Sequence, residues 1–577
     1  QIVEKNGGSV DITIAQSGEL SYQTSAPTNL NATTSVAVQK GVPLSVGNLV
    51  VNSGGQLNLT LSQGYNVNVY SGVSVLNTQM ASIGDPTGGI HPLTVTFGSF
   101  ISTPLTATNT NNTASEFILI DSKTPIQIST TELADLTTLY TGNNSGNAAN
   151  ANGIPYLFTS NICTFNVANA NASQQCAGTE PISATDSQIV LQLQPKTVGT
   201  GANQIPLTGY AAKMFPYVNQ ALINDNTLGA AMINDVTNKE AAQAAYASFA
   251  PDVSGATRAT AISLTDSATN VVAARQQALR MYGDQEGATT LWGQQFAERL
   301  SQANSNSLTG YNDSGFGFVL GMDDGDRVDG RYGGAFTFFT GGMSAKEPTS
   351  SKTSSEYYMF TGYTDWRGKG LFLDTQGTVG YANLKGNRYL TLTDPSTLAT
   401  VTRDAQSQRP SELLAGSITT GGIFTAGSTV FMPQVDVDGL TMREEGYTEG
   451  NGGQGFDLHV QPYYADSLRA FVGADMRQDF NFGDFYLQPE LRAGYRYDFL
   501  NGAQKLKANF ASVSTLNGQS YNPFTIEGPD PGHGNVVLGG GAAVTTGAWS
   551  IGLNFDYVKA SNGPSEQTGI LTLIGRI

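Results

Sequence analysis

From about residue 289 onward the chain alternates apolar and polar residues at period two, in short segments divided by Gly-, Asn- and Asp-rich turns. In "DFYLQPELRAGYRYDF", Phe485, Leu487, Leu491, Ala493, Tyr495, Tyr497 and Phe499 fall on one face, and Gln488, Glu490, Arg492, Arg496 and Asp498 on the other. "AWSIGLNFDYV" sets Trp549, Ile551, Leu553, Phe555 and Tyr557 against Ser550, Asn554 and Asp556. "TVFMPQVDVDG" sets Phe431, Val435 and Val437 against Gln434, Asp436 and Asp438. Such alternation predicts strands with one apolar face, and twelve segments of this kind follow one another to the end. A sandwich would turn the apolar faces inward and the charges to water. A membrane barrel would turn them to lipid and enclose the polar faces. Alternation alone fits both.

The connections separate the two. Long links at 299–314, 342–356, 382–408, 442–467 and 500–534, and a moderately long one at 559–567, take turns with short ones at "DDGDRVDG", "RGKG", "TAGS", "NFGD" and "TTG". Long–short alternation is the asymmetry of an outer-membrane barrel, with loops outside and turns in the periplasm. Trp292 opens the first strand, and Trp366 and Trp549 flank short turns, so all three are expected in an aromatic belt at the periplasmic rim. The chain stops on "GILTLIGRI", with Leu571, Leu573 and Ile577 on one face. A barrel needs its last strand to pair with its first, so a strand is expected there as the closing seam. Asp436, Asp438, Glu490, Arg492 and Arg496 then become charged residues of the lumen wall, packed against a polar helix.

Residues 1–210 carry a different texture, rich in Thr, Asn, Ser and Gly. The alternating runs are brief, as in "SVDITIAQSG", "GNLVVNSGGQLNLTLSQG" and "HPLTVTFGSF". Repeated short strands with turn residues between them suit a β-solenoid, and a β-sandwich is the competing reading. Between 211 and 285 the chain becomes Ala-rich and helix-forming, interrupted at Pro251, with Asp252 or Ser254 placed to cap a helix running to about Arg280. About twenty-five residues make a helix of about 40 Å, enough to cross a bilayer. Arg258, Asp266, Asn270 and Arg275 make it too polar for lipid, and its other residues are mostly small. A helix in a water-lined pore (about 254–281) or on the surface of a globular domain both satisfy this segment, and the barrel pattern favours the pore.

Composition narrows the function. A formal net charge of −17 opposes a nucleic-acid partner. No run approaches the length of a transmembrane helix, "FILI" at 117–120 being typical of the longest. The start at Gln1 is read as a processed or trimmed form. Cys163 and Cys176 are close enough to close a short disulfide loop in an oxidising compartment, with two free thiols as the alternative. His91 is the sole histidine before the barrel and has no G-x-S-x-G or G-D-S-G partner segment. His459 and His533 fall in loops, and metal-ligand spacings are missing. "GNGGQG" at 450–455 lacks the strand-to-helix context of a phosphate cradle. No enzyme activity and no cofactor are expected.

"LWGQQFAERL", "GFGFVLGMDDG", "TGYTDWRGKGLFLDTQGTVGY" and "LRAGYRYDF" resemble the barrel signatures of the type V autotransporters of Gram-negative outer membranes. "SFAPDVSGATRATAISLTDSATNVVAARQQALR" resembles the linker and helix that precede that barrel. "FILIDSKTPI" and "SQIVLQLQPKT" resemble the last rungs of a β-helical passenger. The resemblance implies an all-β architecture: a twelve-stranded transmembrane β-barrel over 286–577 with a helix through its lumen, preceded by a β-solenoid passenger at the cell surface. It also implies insertion by the barrel-assembly machinery, with outer-membrane lipid and an unknown extracellular ligand as partners, and a passenger that is adhesive or structural. A surface-anchored hydrolase whose catalytic part lies upstream is the alternative. The family usually ends on an aromatic with another two residues earlier, where this chain has Ile577 and Gly575. Some relatives cut the passenger at an Asn-Asn pair inside the barrel. The linker here has Asn224-Asp225 and Asn234-Asp235 instead, so an uncleaved passenger is expected.

Overall fold

Twelve antiparallel strands close into a barrel: β1 (Thr290–Gln302), β2 (Tyr311–Asp326), β3 (Gly330–Ala345), β4 (Ser350–Gly368), β5 (Leu371–Thr393), β6 (Thr400–Gly422), β7 (Thr429–Glu444), β8 (Tyr463–Gln478), β9 (Phe485–Asp498), β10 (Gly534–Thr546), β11 (Trp549–Ala560) and β12 (Ser565–Gly575). The structure is a computed structural model. It describes 12–14, 19–23, 44–51, 56–61, 74–85, 93–97, 115–128, 155–165 and 186–201, then 204–575 without 223, 253, 255, 283–288, 305–308, 327–329, 347–349, 394–398, 501, 514, 517–518, 521–522, 529 and 547–548. Each strand pairs with its sequence neighbour. The seam is made by β1 against β12, from Trp292↔Ile574 to Ser301↔Ser565. Closure satisfies the strand amides where lipid would offer no partner.

Alternation sorts the side chains as the outward-apolar reading requires. On β9, Leu491 and Tyr495 are exposed at 61% and 48% while Gln488 and Asp498 are buried. Phe360, Val379, Ile418, Val472 and Leu553 continue the exposed apolar belt around the barrel. Among the described residues no helix is long and apolar enough to cross a membrane; the strands do the crossing. The inward face of β2 is notched by glycine where bulky rings from its neighbours lie across it. A Cβ at Gly315 would stand 2.2 Å from the Phe339 ring, at Gly317 2.6 Å from Phe296, and at Gly321 2.2 Å from Trp292. Those notches let Phe296 stack on Phe339 at 6.0 Å inside the barrel.

The short connections are where expected, at 327–329, 369–370, 423–428, 479–484 and 547–548. Three of the long ones are corrected. Most of 342–356, 382–408 and 559–567 is strand, leaving links of only 346–349, 394–399 and 561–564. β5 and β6 run 23 residues each, against the ~9–11 a tilted strand needs to cross a bilayer, so the pair stands well clear of the membrane. In the lower half of β5 the apolar outward residues are Leu371, Leu373, Val379 and Tyr381. Above it the buried inward residues are Ala382, Leu384, Leu390 and Leu392. The apolar face changes sides at Tyr381/Ala382 because the surroundings change from lipid outside to protein inside.

That protein is a cap of three helices: α1 (Gly209–Leu222), α2 (Asn226–Asp235) and α3 (Lys239–Ala247). Asp225 caps α2 through Leu228 N at 3.0 Å, and Asn238 caps α3 through Ala241 N at 2.8 Å. The helices rest on the long links 445–462 and 499–533, which form their own small sheet from Tyr447–Thr448, Leu458–Val460, Lys505–Phe510 and Phe524–Glu527. Phe249 meets Phe456 edge-on at 5.3 Å, and Tyr217 meets Phe524 at 4.9 Å. One continuous apolar core runs from Leu119 and Leu191 through Met214 and Phe249 to Phe456 and Ile526.

In the N-terminal part, described strands alternate between two sheets. Ile12–Ile14, Leu44–Val51, Ser74–Ile83 and Ser115–Ser122 pair in parallel in one. Glu19–Gln23, Gln56–Leu61 and Leu93–Phe97 pair in parallel in the other. Gln188–Pro195 then runs antiparallel between Ser115–Ser122 and Phe158–Phe165.

Candidate translocator lumen

A fourth helix, α4 (Ala256–Tyr282), runs the length of the barrel interior. Ser254, fixed by its hydroxyl to Asp252 at 2.8 Å, accepts from Ala256 N at 3.2 Å and starts it, so both residues named as caps take part. Small residues such as Ala259, Ala261, Ser263 and Ser267 keep it narrow enough for the cylinder.

Polar contacts hold it at three levels. At the long-link end Arg258 donates to the carbonyls of Gly502 and Leu500, both at 3.2 Å, and to that of Asp466, with the Asp498 carboxylate 4.0 Å away. At mid-height Asp266 accepts from Arg469 of β8 at 2.8 Å and from Arg496 of β9. Arg469 reaches Asp438 at 2.6 Å through Nε. On the opposite face Thr260 donates to Asp313, and Ser263 to Glu298 at 2.9 Å. At the short-turn end Arg275 makes a bidentate pair with Asp323, at 2.9 and 3.1 Å. Asp323 also takes Arg331 at 2.8 Å and the Tyr363 hydroxyl at 3.0 Å, and that hydroxyl accepts from Trp292 Nε1 at 3.0 Å. Buried pairs of this kind roughly break even against apolar substitutes, yet losing one partner costs about 3–5 kcal/mol. They act as position markers.

Of the sequence-predicted residues, Arg258, Asp266 and Arg275 all hold the helix to the wall, and the Asn270 side chain lies outside the described residues. Arg496 touches the helix, whereas Arg492 pairs within the wall, to Asp475 at 2.9 Å, Asp556 at 3.5 Å and Glu490 at 3.7 Å. Asp436 accepts from Thr419 at 2.6 Å. Trp366 and Trp549 are exposed on the outside at the short-turn rim, but Trp292 is not in that belt. It is 3% exposed and turned inward, because Gly321 leaves a seat for its ring and Tyr363 an acceptor for its indole. Cys163 is on Phe158–Phe165, but its side chain, all of Cys176 and His91 lie outside the described residues. His459 bonds Thr448 at 2.8 Å and His533 stacks on Tyr497, both in or beside the long links. The "GNGGQG" turn is filled by the chain's own carboxylate, Asp457, which accepts from Gly452 N at 2.8 Å and Gly453 N at 3.1 Å.

Sequence reasoning missed Arg469, Asp323, Glu298 and Asp313, the wall partners of the helix. All four sit at inward positions of alternating strands, so phase alone would have found them once the barrel was assumed. What phase cannot show is which of many inward charges stands level with a given turn of the helix.

The lumen is a polar cylinder, closed to lipid and occupied by one segment of its own chain. Its donors also serve main-chain carbonyls: Gln276 reaches Thr364 O at 2.9 Å and Gln376 reaches Thr269 O at 3.3 Å. Comparison with known proteins places this geometry. Residues 291–556 match the family model described as autotransporter beta-domain. No curated protein matches the chain. Similar solved structures include the translocator domain of the autotransporter NalP from Neisseria meningitidis (12% identity, TM-score 0.38, 55% of this chain and 98% of that one). The β-domain of the Bordetella autotransporter BrkA (17%, 0.33, 50% and 100%) and the transport unit of AIDA-I from Escherichia coli (13%, 0.35, 53% and 97%) are others. Residues 291–556, from β1 through most of β11, are the autotransporter beta-domain of a type V autotransporter, and this barrel is an outer-membrane translocator.

Proposed function

We propose that the barrel anchors residues 1–210 at the cell surface as a β-solenoid passenger that binds or coats, without covalent catalysis. The observation that carries this reading is the path of the chain. α4 threads the lumen and emerges at the end with the long links, where α1–α3 and the N-terminal sheets share one apolar core with those links. The alternation of strands between two parallel sheets supports a solenoid, since a sandwich would pair them antiparallel. Insertion falls to the barrel-assembly machinery, for which the β1–β12 seam is the closing step. Asn224 is bonded to the carbonyl of Ser512 at 3.2 Å in the cap, outside the lumen, which supports an uncleaved passenger. The test is protease shaving of intact cells with mass spectrometry of both fractions. Release of peptides preceding residue 250 with a membrane-retained barrel is the expected result. Retention of the N-terminal part inside intact cells would overturn it.

A further inference from the structure

α4 does not fill the barrel evenly. Toward β1–β3 it is bonded directly to the wall through Ser263 and Arg275. Two cavities remain beside it, the upper bordered by β1, β2 and β8–β12 and the lower by β5–β12. The upper, about 90 Å³, opens between Arg258 and the 502–504 link. The lower, about 80 Å³, lies between Thr269 and Ala273 of the helix and Asp374, Gln376 and Asp475 of the wall. The two share Asp266, Arg469, Arg496, Val558 and Glu566 in their linings, so they meet at the mid-height ion bridge. Polar atoms without a protein partner line both: the Tyr311 hydroxyl above, Gln376 Oε1, Ser417 Oγ and Asp438 Oδ2 below, and Arg496 Nε between. A buried polar atom left unbonded costs about 1–3 kcal/mol, which makes both cavities sites for water.

We propose that the Asp266–Arg469–Arg496 bridge is the permeability seal of this barrel: it divides a water path running beside the helix, and breaking it joins the two cavities into an ion-conducting route while the helix stays in place. The path has a sign. The lower cavity is lined by seven Asp and Glu side chains against three Arg, six against three once Asp266 is replaced, so cations pass in preference to anions when the bridge opens.

The experiment is single-channel recording of the full chain in planar bilayers under a KCl gradient at pH 8. Four proteins are compared: wild type, Asp266→Ala, Asp266→Glu and Ser263→Ala, each first checked for the heat-dependent gel mobility of a folded barrel. Asp266→Ala should raise conductance about tenfold or more, as expected when a desolvated constriction becomes water-lined, with a cation-selective reversal potential. Asp266→Glu retains a carboxylate within reach of both guanidinium groups and should stay closed. Ser263→Ala loosens the contact to Glu298 and leaves all three members of the bridge in place, so it should match wild type. A folded Asp266→Ala protein that stays as closed as wild type overturns the proposal. Equal opening by Asp266→Ala and Ser263→Ala also overturns it, because general loosening of the helix would then explain both. Should Asp266→Ala fail to fold, Arg496→Gln, which removes one arm of the bridge, takes its place under the same criteria.

Discussion

Arg388, on the part of β5 that stands above the membrane, ties three separate segments together. Its Nε and Nη2 grip Glu449 at 3.2 and 2.6 Å, Nη2 also donates to Phe456 O at 2.6 Å, and Nη1 to Ser248 O at 3.2 Å. The guanidinium carbon lies 3.9 Å from the centre of the Phe456 ring. Arg388→Met retains the aliphatic volume and removes every one of these bonds. Glu449 keeps only the Leu458 amide, at 2.9 Å. Stranding a buried carboxylate in this way costs about 3–5 kcal/mol, which is roughly two to three and a half orders of magnitude in the equilibrium for lifting the link 445–462, and α1–α3 that rest on it, off β5. The assay is limited proteolysis in detergent, read at the link 248–255 between α3 and α4. When reclosing outpaces cleavage, the cutting rate follows the opening equilibrium. The barrel itself should keep its heat-dependent mobility. Arg388→Met/Glu449→Leu replaces the pair by apolar volume and should cut more slowly than the single variant. A single variant cut as slowly as wild type, or a double variant no slower than the single, would refute the account of Arg388 as the fastening of the cap.

Tyr363→Phe removes both the acceptor of the Trp292 indole and a donor to Asp323. A loss of about 1–3 kcal/mol is expected, read as a lower midpoint of the heat-dependent gel shift, and an unchanged midpoint speaks against the network. Leu553→Arg puts a cation on the lipid face, where Leu553 is 64% exposed. Near mid-bilayer this costs about 2–4 kcal/mol, so the yield of folded barrel in vesicles should fall while folding in a charged-detergent-free bicelle of thinner lipid suffers less. Burial pushes the Lys196 ammonium, 4.5 Å from the centre of the Tyr156 ring, down from 10.5 to about 8. Between those values the unfolded chain holds the extra proton, so stability of the N-terminal part rises with pH through that window, and below pH 8 the penalty is present in full. Lys196→Met should therefore be more resistant to proteolysis at pH 7 and lose the difference from wild type toward pH 10.5. A difference that does not depend on pH would contradict it.

What was legible in the sequence depended on whether one environment lasted the length of an element. β9 keeps lipid on one side and lumen on the other from Phe485 to Asp498, and its alternation named both faces. β5 crosses from membrane to cap, and its apolar residues pass from the outward set ending at Tyr381 to the inward set starting at Ala382. Read as one pattern, that reversal looks like the end of a strand, which is why 382–408 was expected to be loop. Trp292 misled for a related reason: a ring near a turn suggests an interfacial belt, and only the glycine opposite, Gly321, decides that it turns inward. α4 was recognisable from small residues and scattered charges, but its wall partners come from strands up to 230 positions away, as for Arg496 and Asp266. No local pattern encodes which of them will be level.

The placing of charges on α4 explains why a translocator would bury them. An Ala-rich helix in a smooth cylinder has no preferred depth. Arg258, Asp266 and Arg275 are spaced by about 12 and 13.5 Å along the axis and turned by roughly 80° and 180° from one another. Their partners stand at matching heights on different walls: Asp466 and Leu500 above, Arg469 and Arg496 on β8 and β9, Asp323 on β2 across the lumen. A slip of one residue turns the helix by about 100° and would strand all three groups together. Only one depth and one rotation satisfy them, so the bridges select a register while contributing little to net stability. Exchanging the mid-height charges, with Asp266→Arg joined to Arg469→Asp, tests this directly. Arg496 then faces a like charge, so the helix should seat less well than in wild type, yet better than with Asp266→Arg alone. Proteolytic protection of α4 measures that order, and equal protection in all three proteins would mean that packing of the small residues, rather than charge, sets the depth.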